Sequence, residues 1–124
     1  MSNMEQLKDN VNTFKNPVAM DEKATKVLAD VMTAINAFKV VDCTKCEYCL
    51  PCPLGIDIPK VFETYNKFEM FKANWIITDY VKEAAVKPSE CIGCGVCASR
   101  CPQAIAIPER IADFNAVAEK LAKA

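Results

Sequence analysis

The sequence contains no histidine. Imidazole-ligated centres are therefore excluded, a Rieske centre among them. Only 3 glycines occur in 124 residues, and strand-like alternation is scarce, which speaks against an all-β fold. No apolar run approaches the roughly 18 residues of a membrane span, so no membrane is expected as a partner. Nor is positive charge in excess. The 15 Lys and Arg against 16 Asp and Glu leave a formal net charge of -1, which implies no basic surface for nucleic acid. The start, MSNMEQLKDN, lacks the basic and apolar stretches of a secretory signal. A cytoplasmic, reducing setting is expected, where thiols more often bind metal than pair with each other.

What the chain does have is 8 cysteines, all in two short runs. Residues 43–59 read CTKCEYCLPCPLGIDIP, and residues 91–108 read CIGCGVCASRCPQAIAIP. Cys43, Cys46 and Cys49 recur 48 residues later as Cys91, Cys94 and Cys97. Cys52, Pro53, Ile56, Ile58 and Pro59 recur 49 residues later as Cys101, Pro102, Ile105, Ile107 and Pro108. The slip of one is an extra residue, Ser99 or Arg100, before the last cysteine. Each half is thus a cysteine loop, a Cys-Pro corner, an Ile-x-Ile pair and a proline-started helix. Two such halves suggest a pseudo-twofold unit with one metal centre each.

The remaining segments have helical periodicity, and the fold is expected to be all-α. Met4, Leu7, Val11 and Phe14 form one stripe, with Ser2 and Glu5 spaced as a capping box. That helix should end near Asn16-Pro17. A second helix is predicted from about Asp21 to Phe38, with Ala24, Val27, Leu28, Val31, Ile35 and Phe38 as its stripe. Both stripes read as core packing. Pro59 should open a helix with Val61, Phe62 and Tyr65 inward. Residues 68–86 continue the helical pattern, with Phe68, Phe71, Trp75 and Ile76 inward, until Pro88 closes it. Pro108 opens a last helix with Ile111, Phe114, Val117 and Leu121 on one face. Nothing basic interleaves the aromatics as single-strand nucleic-acid binding would need.

Three thiolates at intervals of three residues can wrap one compact polymetallic core. The fourth must come from elsewhere, because the loop has by then run past. In bacterial ferredoxins with such runs, the cysteine before proline ligates the other cluster. The same exchange here uses every cysteine. It assigns one 4Fe–4S cluster to Cys43, Cys46, Cys49 and Cys101, and a second to Cys91, Cys94, Cys97 and Cys52. Gly93 and Gly95 let backbone N–H groups approach cluster sulfurs. Pro53 and Pro102 fix the corners, and Ile56, Ile58, Ile105 and Ile107 would cover the clusters and limit water. Zinc is the alternative metal, although its structural sites normally use two separated Cys-x-x-Cys pairs. A disulfide framework is a further alternative, although thiols three apart in one loop make awkward disulfides. Two clusters would make the loaded domain acidic, suiting positively charged redox partners. Lys45 and Arg100 lie near the loops as partial compensation or as plain surface charge.

The long helical span between the runs is similar to the α-helical ferredoxin module of succinate dehydrogenase iron–sulfur subunits and heterodisulfide reductase subunits. CTKCEYCLPCPLGIDIPKVFETYN followed by SECIGCGVCASRCPQAIAIPE more closely resembles the C-terminal extension of iron–sulfur-containing aldo/keto reductases of anaerobic bacteria and archaea. SNMEQLKDN resembles the segment after the last barrel strand of such enzymes. The resemblance covers almost the whole chain. It implies an N-terminal helical segment over residues 1–40, the end of a barrel domain plus linker, and a dicluster helical ferredoxin-like domain over residues 41–124.

By the same resemblance Ser2, Gln6, Asp9 and Asn10 occupy places that hold the adenosine end of NAD(P) when the barrel is present. Gln6 stands where the family has an arginine on the 2′-phosphate. The catalytic tyrosine, lysine, aspartate and histidine belong to the barrel, so this chain is expected to be no enzyme by itself. It would relay electrons between a ferredoxin or flavoprotein and the barrel of a parent oxidoreductase. Two other roles stay open at this point. One is a structural module stapled by iron–sulfur or zinc; the other is a free-standing subunit like that of heterodisulfide reductase.

Overall fold

A computed structural model of the chain describes residues 1–37 and 40–123. Among these there are six α-helices and no strand: α1 (Met4–Lys15), α2 (Glu22–Asn36), α3 (Ile58–Phe71), α4 (Asn74–Glu83), α5 (Val96–Ser99) and α6 (Ile107–Ala122). The all-α expectation is met. The chain divides into two compact units, Met1–Ile35 and Asn36–Ala124.

The first unit is α1 and most of α2. The cap of α1 lies one residue later than the Ser2–Glu5 spacing predicts. Asn3 is the N-cap, and its side-chain oxygen accepts from the Gln6 N–H at 2.9 Å. The Gln6 side chain in turn accepts from the Ser2 N–H at 2.7 Å. Asparagine caps at least as well as serine, and Gln6 has the reach that closes the turn. Asp21 caps α2 through the Ala24 N–H at 2.7 Å. The helix stops at Asn36, and Phe38 of the predicted stripe lies outside the described residues. The expectation that both stripes pack into a core does not hold. Neither helix buries a residue, and Phe14, Val11, Val27, Val31 and Ile35 are all exposed. A helical stripe is buried only against a further layer, and two helices by themselves offer little of one.

The second unit is built from the repeat. Ile58 and Ile107 begin α3 and α6, each with a proline in the first turn, where the missing N–H costs nothing. Asp57 caps α3 by accepting from the Lys60 N–H at 3.1 Å; its equivalent before α6, Ala106, has no side chain that can do so. Both helices turn their apolar faces inward. Phe114 is fully buried, with Tyr65 and Tyr80 edge-on to its ring, each at 5.9 Å between centroids. Tyr65 and Phe114 are themselves 49 residues apart, so the repeat meets itself at the centre of the core. Burial pushes the Tyr80 phenol up to about 12, with the Asp57 carboxylate adding to the effect.

The helical span after α3 differs from the single segment predicted over 68–86. Lys72 takes a left-handed conformation (φ 51°), and its N–H caps α3 at the Phe68 carbonyl. The helix restarts as α4 at Asn74. The break rotates the inward face. Phe71 and Trp75, expected inside, are each 65 % exposed, whereas Ile77 is 1 % exposed and takes the core position. Between α4 and the second cysteine run lies a short 3-10 turn, Pro88–Glu90.

One surface network ties the first cysteine loop to α3. Glu63 binds Lys67 at 2.7 Å, Lys45 at 3.2 Å and Lys60 at 3.4 Å. These lysines, Lys67 first, hold its carboxyl down at about 2, against an ordinary 4.5. A lowered folded-state value stabilises the fold fully above about 4.5, and that contribution is lost as pH falls toward about 2. The lysines are half exposed, so screening keeps the network to about 1 kcal/mol. Glu63→Gln is expected to lower the urea midpoint by that order at pH 7. The gap to the parent chain should narrow below pH 4.5 and in about 1 M salt. An unchanged gap at pH 3.5 would refute the assignment.

Candidate metal centres

The two cysteine runs surround two small hollows of similar size. The first is lined by Cys43, Cys46, Cys49 and Cys101. The second is lined by Cys91, Cys94, Cys97 and Cys52. Each hollow therefore draws three thiols from one run and the fourth from the Cys-Pro corner of the other. The rest of each wall is largely apolar. Pro102 and Ile107 contribute to the first, and Pro53 and Ile56 to the second. Ile58 lines both and forms a shared partition. Of the four isoleucines singled out in the repeat, Ile56, Ile58 and Ile107 are fully buried and Ile105 partly so.

All eight cysteines are free thiols, so the disulfide framework is not formed. Cys49 and Cys97, the third cysteine of each run, are buried in the core. Burial pushes the Cys49 thiol up to about 11, opposed by its backbone hydrogen bond and reinforced by Cys43, Cys97 and Cys46. Burial likewise raises Cys97, with neighbouring backbone N–H groups opposing and Cys91 and Cys94 adding. Such thiols hold their protons unless a cation replaces them. Metal loading here is a proton-releasing step that favours the folded state.

The backbone repeats as closely as the cysteines do. Lys45 (φ 56°) and Gly93 (φ 67°) share a left-handed conformation, as do Glu47 (φ 65°) and Gly95 (φ 76°). After each Cys-Pro corner a third such pair follows, Gly55 (φ 82°) and Ala104 (φ 51°). Their N–H groups close the same turn, Gly55 onto Cys52 at 2.9 Å and Ala104 onto Cys101 at 3.1 Å. These bends give the two loops the same path, and in the first loop the Lys45 N–H lies 3.4 Å from the Cys43 sulfur. Lys45 and Glu47 are thus the non-glycine counterparts of Gly93 and Gly95, which the cysteine motif alone does not reveal. Carrying the offset of 48 through every position, and not the cysteines alone, would have found them. Lys45 is also engaged by Glu63 at 3.2 Å. The extra residue of the second run is absorbed by the helical turn α5.

The donors suit a polynuclear group. A zinc site needs its sulfurs about 2.3 Å from one point. Among the described residues no three Cys, Asp or Glu side chains converge in a way that would grip a single ion. Thiols spread around a hollow, three from one loop and one from the other, are what an iron–sulfur core requires.

A family model for the 4Fe-4S dicluster domain matches residues 42–106, just over half of the chain. The chain belongs to this family. Neither a curated protein nor a solved structure matches it. The dicluster domain binds two 4Fe–4S clusters and has an electron-transfer role.

Of the other residues predicted to touch a cofactor, Ser2 just before α1 and Gln6, Asp9 and Asn10 within it are all exposed. Gln6 and Asp9 line a shallow surface hollow with Asn3 and Asn12, and the Gln6 side chain already serves the helix cap. None of the four lines either thiol hollow.

The left-handed pairs yield a direct test. At Ala104 the Cβ strain of about 1–2 kcal/mol outweighs the extra unfolded-state freedom of glycine, about 0.5–1 kcal/mol. Ala104→Gly should therefore stabilise the loaded domain by up to about 1 kcal/mol. Gly55→Ala should destabilise it by about 1–2 kcal/mol through its left-handed backbone (φ 82°), its Cβ meeting Val86 only at ordinary contact distance. Thermal melts of the two variants moving in the same direction would count against this repeat equivalence.

Proposed function

We propose that the chain is the electron-transfer part of an aldo/keto reductase-type oxidoreductase. Its first cluster would be held by Cys43, Cys46, Cys49 and Cys101, its second by Cys91, Cys94, Cys97 and Cys52. The observation that carries the ligand assignment is the crossed lining of the two hollows. Each cluster supplies, when bound, a centre that takes up or gives back one electron. The chain's own residues do the rest. Eight thiols hold the groups, the isoleucines keep water from them, and Ile58 keeps them close but apart. The left-handed loops direct amides at sulfur, which favours the more negative, reduced state.

In this reading the domain relays electrons between a ferredoxin or flavoprotein and the barrel of the parent enzyme. Two one-electron sites match the two electrons of a hydride. The parent linkage is supported by the motif CTKCEYCLPCPLGIDIP and by SNMEQLKDN at the start, and the exposed stripes of α1 and α2 are in keeping with a segment made to pack on more protein. Residues 1–40 would then be the end of the barrel domain and its linker. Ser2, Gln6, Asp9 and Asn10 would meet a nicotinamide nucleotide only with the barrel in place. The chain by itself would catalyse nothing. A structural contribution accompanies the redox one, because Cys49 and Cys97 belong to the core and losing what they hold would open it.

Iron, acid-labile sulfide and zinc should be measured on anaerobically purified protein. About eight irons and as many sulfides per chain are expected, with an iron electron-spin signal on chemical reduction. One or two zincs instead would overturn the cluster assignment. The crossed ligation has its own test. Cys101→Ala should expose Cys43, Cys46 and Cys49 to alkylation while Cys91, Cys94 and Cys97 stay protected; the opposite pattern would refute it.

A further inference from the structure

Asn66 on α3 and Asn115 on α6 are 49 residues apart, the offset of the Cys-Pro corners. Both are half-buried, and both spend their side chains on distant backbone. The Asn66 oxygen accepts from the N–H groups of Val40 at 3.0 Å and Val41 at 2.9 Å. Its nitrogen donates to the Val41 carbonyl at 2.8 Å. The Asn115 nitrogen donates to the Pro88 carbonyl at 3.1 Å. Val41 is two residues before Cys43, and Pro88 three before Cys91. Each asparagine thus grips the chain just as it approaches a cysteine loop.

The amide suits the task because it donates and accepts from one rigid group, which a hydroxyl or carboxylate does less well. Val40 and Val41 lie outside any helix, so their N–H and C=O must find partners elsewhere, whereas the Pro88 carbonyl already accepts from the Cys91 N–H at 3.2 Å and gains Asn115 as a second donor. One of the contacts is lost for a chemical reason: Pro88, the counterpart of Val40, has no N–H to offer. The second approach is steadied instead by its own short turn, with the Lys87 N–H on the Glu90 carboxylate at 3.0 Å.

The connections are crossed. α3 leaves the chain after Cys52, which lines the second hollow, yet Asn66 holds the approach to the first. α6 leaves after Cys101, which lines the first hollow, yet Asn115 holds the approach to the second. We infer that Asn66 and Asn115 are a repeated pair of positioning residues, each fixing one cysteine loop to the helix that starts from the other centre. This rests on the cysteine assignment proposed above. A helix that starts at one centre and grips the approach to the other from its middle links the two centres, so that loosening one grip opens one named loop first.

Site-resolved alkylation of the anaerobically prepared, iron-loaded chain tests this, with peptide mapping by mass spectrometry. A hydrogen bond of ordinary strength corresponds to roughly threefold to tenfold in local opening. Asn66→Ala should speed labelling of Cys43, Cys46 and Cys49 by about tenfold or more, with a smaller rise at Cys91, Cys94 and Cys97. Asn115→Ala should show the reverse pattern, at roughly threefold. Asn66→Asp keeps the acceptor and loses the donor, so its rates should fall between those of the parent and Asn66→Ala. That variant and Asn115→Ala decide the matter should Asn66→Ala fail to fold. Site-indifferent labelling in variants of a protected parent would overturn this inference alone. A parent chain whose eight thiols label as fast as in urea would remove the cluster assignment, and this inference with it.

Discussion

Each thiol hollow is closed by a cysteine from the opposite half, and the rest of the second unit follows from that exchange. Neither half can form its own cage, so the Cys-Pro corners must cross. Crossing brings Ile58 between the hollows and sets α3 and α6 face to face. The helices then supply Tyr65 and Phe114, whose edge-on contact lies where the repeat meets itself. The hydrophobic core and the thiol hollows are one structure here, because Cys49 and Cys97 belong to both.

This arrangement explains how a small domain with little glycine builds two tight loops. Left-handed backbone is needed at three positions in each half, and glycine fills three of the six. Lys45, Glu47 and Ala104 accept the strain at the others. At Lys45 the strained residue also reaches Glu63 with its side chain, so a conformational cost coincides with an ionic contact to α3. The second loop has glycine at the matching place and no such contact. The halves share a backbone path while differing in how it is secured, and the asparagine grips show the same pattern of common geometry with unequal bonding.

The first unit obeys a different logic. Its helices are well capped and strongly amphipathic, yet their apolar faces stay exposed. Periodicity reports which side of a helix is apolar. It does not report whether anything in the same chain covers that side.

Much of the metal site was legible in the residues themselves. Cysteine spacing is a local property, and three thiols at a period of three followed by Cys-Pro restrict the chemistry before any fold is known. The proline-started helices and the all-α character were legible for the same reason, since caps and periodicity act over a few residues. Three things were not. Lys72 breaks the predicted 68–86 segment through a left-handed cap that no glycine announces, and Ile77 replaces Trp75 in the core as a result. Lys45, Glu47 and Ala104 share the backbone of their glycine counterparts because the hollow dictates the path, against their own preference. Asn66 and Asn115 look like ordinary helix-surface residues until the chain 25 or 27 positions away folds against them. The sequence by itself determined which thiols are present and in what order, because side-chain chemistry and short spacings are local. Only the tertiary structure decided what holds each loop in place and which apolar residues close the core, because those depend on contacts between segments that the chain brings together from a distance.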